Sequence, residues 1–115
     1  MSIEDRLADL GIDLPPVAKP VAAYVPAIQV GDQISTSGQL PLVSGSLPMT
    51  GLVGDQISQG DAAGQARVAA LNALAAAADV AGGVNNIRRV VRVVVYVAST
   101  AAFTAQPAVA NGAAE

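Results

Sequence analysis

The chain contains neither cysteine nor histidine, and these two absences exclude several kinds of chemistry. Disulfides, thiolate nucleophiles and the usual Cys/His zinc sites all need residues that this sequence lacks. Catalytic triads that use imidazole as the base are excluded for the same reason. Any reaction must therefore use carboxylates, hydroxyls, amides, arginine, backbone groups or water. The aspartates are dispersed along the chain, so we predict no metal site.

Aromatic side chains and basic charge are also scarce. Aromatic residues make up 3% of the 115 residues while hydrophobic residues make up 52%, so small aliphatic side chains must fill the interior. A domain of this size buries a small fraction of its surface, and we therefore expect a homo-oligomer. The net charge of -3 argues against broad contact with phosphate backbones, and we predict no nucleic-acid partner.

Targeting and membrane segments are not predicted. The acidic residues Glu4 and Asp5 stand where a signal peptide carries positive charge, and no apolar run follows them. The longest uncharged stretch, residues 93–114, is interrupted by serine, threonine, glutamine, proline and asparagine. We therefore expect a cytoplasmic protein without a membrane partner, folded as a single domain over residues 1–115.

A serine followed three residues later by an aspartate marks the start of a short N-terminal helix. Ser2 and Asp5 form this capping-box pattern, in which side-chain and backbone groups satisfy each other. Apolar residues then recur at helical spacing until Gly11, where we expect the helix to end.

The same pattern begins the strongest helical segment. Ser58 and Asp61 precede a helix that we predict from Asp61 to Ala81, with Gly82 and Gly83 as its stop. Apolar positions at three- and four-residue spacing predict one buried stripe along it. The stripe consists of Ala66, Ala70, Ala73, Leu74, Ala77, Val80 and Ala81.

A hairpin is predicted between the two helices. Residues 21–30 are strand-like, Gly31 and Asp32 supply a positive-φ pair for a two-residue turn, and residues 33–39 form the returning strand. Pro26 cannot donate to a ladder, so the first strand should have an edge or a bulge there. The following glycine-rich loop includes a short predicted strand at residues 52–53.

Residues 90–97 favour a strand, because β-branched side chains suit a pleated sheet. Alternation gives this strand two faces, and we expect the first to meet the long helix. The first face holds Val91, Val93, Val95 and Val97. The second face holds Val90, Arg92, Val94 and Tyr96. It is mostly apolar, and we expect a neighbouring subunit to cover it.

A last helix is predicted near Phe103. Ser99 or Thr100 is the expected cap, and Pro107 suits an early helical position. Together the elements give an α+β fold.

One strand end carries a concentration of polar groups. The segment Thr36-Ser37-Gly38-Gln39-Leu40-Pro41 combines two hydroxyls, a glycine and an amide. Glycine lets the backbone approach a ligand closely, so main-chain donors and the Ser37 hydroxyl could hold a small molecule here. A strand end with a glycine bulge explains the same residues without any ligand.

Four elements, taken in order and spacing, resemble the RidA/YjgF family over nearly the whole chain, as a variant branch. They are Tyr24 with Val30-Gly31, the run from Ser35 to Pro41, Ala69-Ala70-Leu71-Asn72-Ala73-Leu74, and Ile87 leading to Arg92-Val93-Val94-Val95-Tyr96-Val97 and Phe103.

The resemblance implies a fold like that of trimeric bacterial chorismate mutase, with a mixed sheet, helices on one face and clefts between three subunits. Family members with deaminase activity hydrolyse reactive imines and enamines, such as 2-aminoacrylate, to a 2-keto acid and ammonia. The protein would place a water molecule and stabilise developing charge, and no cofactor is implied.

The resemblance also assigns substrate binding by position to Tyr24, Ser37, Gly38 and Gln39. Tyr24 would line the cleft, although a tyrosine there is equally explained by packing. The family's carboxylate-binding arginine and water-positioning glutamate would both fall beyond Glu115, together with a final strand. The arginines present have other expected roles. Arg88 and Arg89 should be solvated, and Arg92 should pair across a subunit interface.

A second function class stays open beside imine hydrolysis. A non-catalytic trimer of the same fold, which binds a small molecule or acts as a scaffold, would not need the carboxylate-binding arginine. We assign no catalytic residue. RNA cleavage is a third possibility, because some family members carry ribonuclease names. One phenylalanine, no histidine and a negative net charge argue against it.

Overall fold

Three α-helices and one β-hairpin form the regular structure of the described residues. A computed structural model describes residues 2–17 and 25–115. In chain order the elements are α1 (Ile3–Asp9), β1 (Ala27–Val30), β2 (Gln33–Thr36), α2 (Gln59–Ala81), a 3-10 turn (Val84–Asn86) and α3 (Gln106–Ala114). The chain divides into two compact units. The first comprises Met1–Gln39 and Leu71–Val91, and the second comprises Leu40–Ala70 and Arg92–Glu115, so α2 contributes to both.

Helix α1 begins and ends as predicted. The Ser2 hydroxyl accepts a hydrogen bond from the Asp5 backbone N–H at 3.1 Å, and the Ser2 N–H donates to the Asp5 carboxylate at 3.3 Å. Gly11 has a φ of 69°, and the next N–H, that of Ile12, donates back to the Leu7 carbonyl at 2.9 Å. This left-handed ending satisfies carbonyls that the helix leaves open, and glycine adopts it without strain.

The predicted hairpin is present, with one correction at its turn. Strands β1 and β2 pair antiparallel, and Val30 pairs with Gln33 across the two-residue loop. Gly31 has a φ of 61°, whereas Asp32 does not have a positive φ. Positive φ at the first central residue alone suffices for a hairpin turn, so the predicted positive-φ pair is wrong. The returning strand also ends at Thr36, earlier than expected.

Pro26 stands immediately before β1, and its carbonyl accepts the Ser37 backbone N–H at 2.8 Å. The only sheet in the described residues has two strands, so both are edges and the proline interrupts no ladder. Residues 21–24, which the prediction placed in the first strand, lie outside the described residues.

Helix α2 starts two residues before its predicted beginning and ends where predicted. The Ser58 hydroxyl accepts from the Asp61 N–H at 3.1 Å, which satisfies one donor of the first turn. At the other end Gly82 has a φ of 83°, and the Gly83 N–H donates to the Ala78 carbonyl at 2.9 Å. This is the paired-glycine stop that the sequence predicts.

The predicted buried stripe of α2 is wrong in position. All seven predicted residues are only half-buried. The buried helix positions are Ala62, Asn72, Ala75, Ala76 and Ala78. Alanine occurs on every side of this helix, so its spacing cannot identify which side is covered. Asn72, only 2% exposed, is a polar residue on the buried side that hydrophobicity alone would place outside.

Val53, Ala62 and Val109 form the core of the second unit, and Ile57, Ala66, Val97 and Phe103 pack against it. Val53 is fixed by its backbone, because its N–H donates to the Ala98 carbonyl and its carbonyl accepts from the Thr100 N–H, each at 3.0 Å. The short strand predicted at residues 52–53 is thus reduced to isolated bridges from Val53 to Ile57 and to Ser99.

Helix α3 has the predicted proline but not the predicted cap. Pro107 lies in its first turn, while the residue before the helix is Ala105, which has no capping side chain. Ser99 and Thr100 lie too far before Ala105 to cap α3, and the Ser99 hydroxyl instead accepts a hydrogen bond from the Gln106 side-chain amide at 3.3 Å.

The predicted strand at residues 90–97 does not form within the described part of the chain. Val95 and Val97 are half-buried, and Val97 reaches the core of the second unit, which agrees with the first predicted face. Val91 and Val93 belong to the same face but are exposed, so that expectation is wrong for them. β-Branched residues favour a strand only when another strand is available to share hydrogen bonds.

Candidate functional site

The Ser37 hydroxyl is held at the end of β2 by two neighbours. Its oxygen donates to the Pro26 carbonyl at 3.3 Å and accepts from the Gln39 side-chain amide at 3.1 Å. Ser37 and Gln39 are half-buried. The hairpin sets this geometry, because the Ser37 backbone N–H also binds the Pro26 carbonyl and so continues the β1–β2 pairing by one residue.

The Ser37 hydroxyl retains capacity for one further hydrogen bond. A hydroxyl has one donor and two acceptor positions, and Pro26 and Gln39 use the donor and one acceptor. The remaining lone pair can accept a hydrogen bond from a water molecule or a ligand N–H. The Ser37 hydroxyl is therefore held in a fixed orientation and still has one acceptor position free.

Gly38 leaves open space beside this hydroxyl. It is exposed, and apart from its two chain neighbours no atom of the described residues lies within 4 Å of the position that a Cβ would occupy. The absence of contacts shows that packing among the described residues does not require a glycine here. A ligand can therefore approach the backbone of residues 37–39 without meeting a side chain from Gly38.

The fourth predicted site residue, Tyr24, lies outside the described residues. Its place in the cleft stays a prediction. The structure thus brings together Ser37, Gly38 and Gln39, which are also contiguous in sequence.

Arginines near the entrance of the 90–97 segment are solvent-exposed. This confirms the expectation for Arg88 and Arg89, and it holds for Arg92 as well. The predicted pairing of Arg92 across a subunit interface stays a prediction. Across residues 2–17 and 25–115, no group of three acidic residues is placed to hold a metal ion. Every helix in those ranges also falls short of the length or apolarity that a bilayer crossing requires.

Sequence reasoning did not anticipate a shallow groove in the first unit. The extended segment 14–17 lies along the C-terminal end of α2 and leaves an open trough. Its lining residues are Leu14, Pro15, Pro16, Val17, Ala75, Ala78, Asp79, Gly82 and Gly83. The proline pair that keeps this segment extended is the only sequence signal for the groove. None of the predicted site residues that the structure describes lines it.

A family model described as "YjgF/chorismate_mutase-like, putative endoribonuclease" matches residues 4–115. The chain belongs to the YjgF family. The predicted family and its α+β fold type are thereby confirmed. Among curated relatives, the YjgF-family chain is 37% identical over 110 residues to "Protein TCP17" of Trypanosoma cruzi. The match covers 96% of this chain and 69% of the relative.

Two solved structures resemble this YjgF-family chain closely. A "putative endoribonuclease" from Shewanella oneidensis MR-1 superposes with a TM-score of 0.86 at 29% identity, over 98% of this chain and 75% of the other. The protein Atu1372 of unknown function from Agrobacterium tumefaciens superposes with a TM-score of 0.78 at 37% identity, over 97% and 69% of the two chains. These likenesses support the fold across nearly all of the chain.

Proposed function

We propose that this YjgF-family chain hydrolyses reactive imines and enamines of the 2-aminoacrylate type. An enamine first tautomerises to the imine, whose C=N carbon then accepts a water oxygen. The resulting carbinolamine expels its nitrogen as ammonia and leaves a 2-keto acid, so one water is consumed for each ammonia released. The protein's part in this reaction is to place the water and to stabilise developing charge.

The proposal rests on the Ser37 hydroxyl, which has one hydrogen-bond acceptor position left, and on the space beside Gly38, which has no side chain. Because the Ser37 hydroxyl proton is donated to Pro26, its remaining lone pair can act only as an acceptor. It can bind one N–H of the imine or one O–H of the attacking water. Gln39 orients the hydroxyl through its own amide N–H, and Tyr24 is proposed to line the same cleft.

We also propose that the chain acts as a homotrimer, with the second face of the 90–97 segment at the interface. Tyr96 is 92% exposed and Val90 is 66% exposed. Large apolar side chains exposed in one segment favour coverage by another protein surface. A cleft between subunits would give Ser37 a second wall.

One observation favours the non-catalytic alternative. The two groups bonded to Ser37 are a backbone carbonyl and a neutral amide, so neither can take a proton as a general base. A trimer that only binds a small imine or 2-keto acid, or acts as a scaffold, would use the same geometry. Measuring ammonia release distinguishes binding from hydrolysis.

The deciding experiment generates an imine in situ with an amino-acid oxidase and measures ammonia release with and without the protein. We expect release faster than in buffer, and we expect Ser37→Ala to lose most of the increase. Ser35→Ala is the matched control, because Ser35 is an exposed serine within β2, two residues before Ser37, and its loss should leave the rate unchanged.

Two results would redirect the proposal. If ammonia release equals the buffer rate while a 2-keto acid still binds and Ser37→Ala weakens that binding, the non-catalytic alternative is correct. If protein freed of contaminating nuclease cleaves RNA, the chain is a ribonuclease, as the name of the Shewanella protein suggests for that relative.

A further inference from the structure

We propose that the Asn111–Gly112 bond is a site of spontaneous deamidation, and that this conversion loosens α3 from α2 within the second unit. The proposal is independent of imine chemistry. It depends on the placement of the four asparagines of the chain and on one close backbone contact.

The chemistry needs only water. The Gly112 backbone nitrogen loses its proton and attacks the Asn111 side-chain carbonyl carbon, forming a five-membered imide ring and releasing the amide nitrogen as ammonia. Water then opens the ring at either carbonyl, which gives aspartate or isoaspartate. A following glycine accelerates ring closure because it has no side chain to obstruct the nitrogen. The pair Asn-Gly occurs once in the sequence.

The other three asparagines are held by their surroundings. Asn72 is 2% exposed. Asn85 uses both ends of its amide, because it accepts from the Glu4 N–H at 2.8 Å and donates to the Glu4 carboxylate at 3.2 Å. The Asn86 amide donates to the Ala81 carbonyl at 2.8 Å.

Asn111 differs from all three in its side-chain bonding. It is exposed, as Asn85 and Asn86 are, but its side chain makes no hydrogen bond with any residue that the structure describes. Its amide can therefore rotate towards the nitrogen of the next residue, which the amides of Asn85 and Asn86 cannot do without breaking hydrogen bonds.

The helix around Asn111 is also easy to open. Ring closure requires a non-helical backbone, and α3 has nine residues with no side-chain cap at its start. Short helices without caps are marginal, and helix ends open at low free-energy cost. Asn111 and Gly112 lie near the C-terminal end, and a helical glycine lowers the cost of opening further.

Conversion at this position has a structural consequence. A Cβ on Gly112 would overlap the carbonyl of Ala63 in α2, so the Gly112 backbone lies directly against that helix. Isoaspartate adds one methylene to the main chain immediately before Gly112 and must displace it from this contact. Either product also places a new negative charge near the C-terminal end of α3, where the helix dipole disfavours it.

The test is incubation of the folded protein in mildly alkaline buffer, followed by proteolysis and mass spectrometry that separates aspartate from isoaspartate. We expect the peptide with Asn111 to convert severalfold faster than those with Asn72, Asn85 and Asn86. Asn111→Gln should show no conversion in that peptide. The deamidated protein, isolated by its extra negative charge, should melt at a lower temperature than untreated protein.

Two outcomes would overturn the proposal. Conversion at Asn111 no faster than at Asn85 or Asn86 would show that α3 protects the site. If fully deamidated protein melts at the same temperature as untreated protein, conversion of the Asn111–Gly112 bond does not disturb the contact of Gly112 with Ala63. Asn111→Asp supplies an independent check, since it adds the charge without the extra methylene and should lower the melting temperature by less than isoaspartate.

Discussion

Asn85 and Glu4 are joined by two hydrogen bonds that run in opposite directions. The Asn85 side-chain oxygen accepts the Glu4 backbone N–H at 2.8 Å, and the Asn85 amide donates to the Glu4 carboxylate at 3.2 Å. The residues are 81 positions apart in sequence, so the pair fixes the first turn of α1 to the 3-10 turn after α2. Asn85 thus satisfies a donor at the start of α1 that has no partner within the helix.

Replacing Asn85 with aspartate should separate the two bonds. The Asn85→Asp variant keeps an acceptor for the Glu4 N–H but sets a second carboxylate against that of Glu4, so we expect a loss of about 1 kcal/mol in unfolding free energy. Adding Glu4→Gln restores a donor, and the double variant should recover most of the loss. Urea denaturation of the two single variants and the double variant checks this, because independent effects would simply add.

Gly112 in α3 and Gly64 in α2 should respond oppositely to alanine. Gly112→Ala puts a methyl group into the Ala63 carbonyl, and overpacking of this kind costs about 1–3 kcal/mol. Gly64→Ala meets no atom within 4 Å in the interior of α2, and it should gain about 0.5–1 kcal/mol from helix propensity. Thermal melts of both variants test the contact, and a Gly112→Ala protein as stable as the parent would exclude it.

Local signals in the sequence were sufficient to predict the start of α1, the C-terminal ends of α1 and α2, and the hairpin. Ser2 with Asp5, Gly11 and the Gly82–Gly83 pair act through bonds to residues a few positions away, so a short stretch of sequence contains all of the necessary information. Gly31 acts in the same way.

Properties that depend on distant partners were predicted less well. The covered side of α2 was missed because its residues are mainly alanine and one of the buried positions is Asn72. Residues 90–97 were predicted to be a strand from their valines alone, yet strand formation depends on a neighbouring strand that local sequence cannot specify.

The candidate site falls between these cases. Ser37, Gly38 and Gln39 were found from their order in the chain, and the hydrogen bond between Ser37 and Gln39 is local. The Pro26 carbonyl as the partner of Ser37 was not predicted, because it depends on the register of β1 with β2. The helix contact of Gly112 was missed as well, since nothing adjacent to it in sequence indicates Ala63.

Gln65 offers a test of polar burial in the second unit. Its side-chain oxygen is enclosed and has no hydrogen-bond partner among the described residues. A buried acceptor without a partner costs about 1–3 kcal/mol, so Gln65→Met, which keeps the shape and removes the acceptor, should raise the unfolding free energy by about 1 kcal/mol. Gln65→Glu keeps the shape but adds charge, and it should lower stability. Chemical denaturation of both variants measures the difference, and a destabilised Gln65→Met protein would contradict the assignment.

The exposed side chains of the 90–97 segment should control the size of the assembly. Tyr96 is 92% exposed and Val94 is 51% exposed, and a lysine at either position would bring charge into the proposed subunit contact. If three copies associate through this face, light scattering should give the mass of a trimer for the parent and a lower mass for Tyr96→Lys and Val94→Lys. Thr104→Lys is the matched control, because it adds the same charge at an exposed position outside the segment. A parent chain that is monomeric at all concentrations would exclude the trimer. If neither lysine variant changes the mass of the trimer, the interface must lie on another surface. A buried lysine without a partner would destabilise an interface formed by this segment.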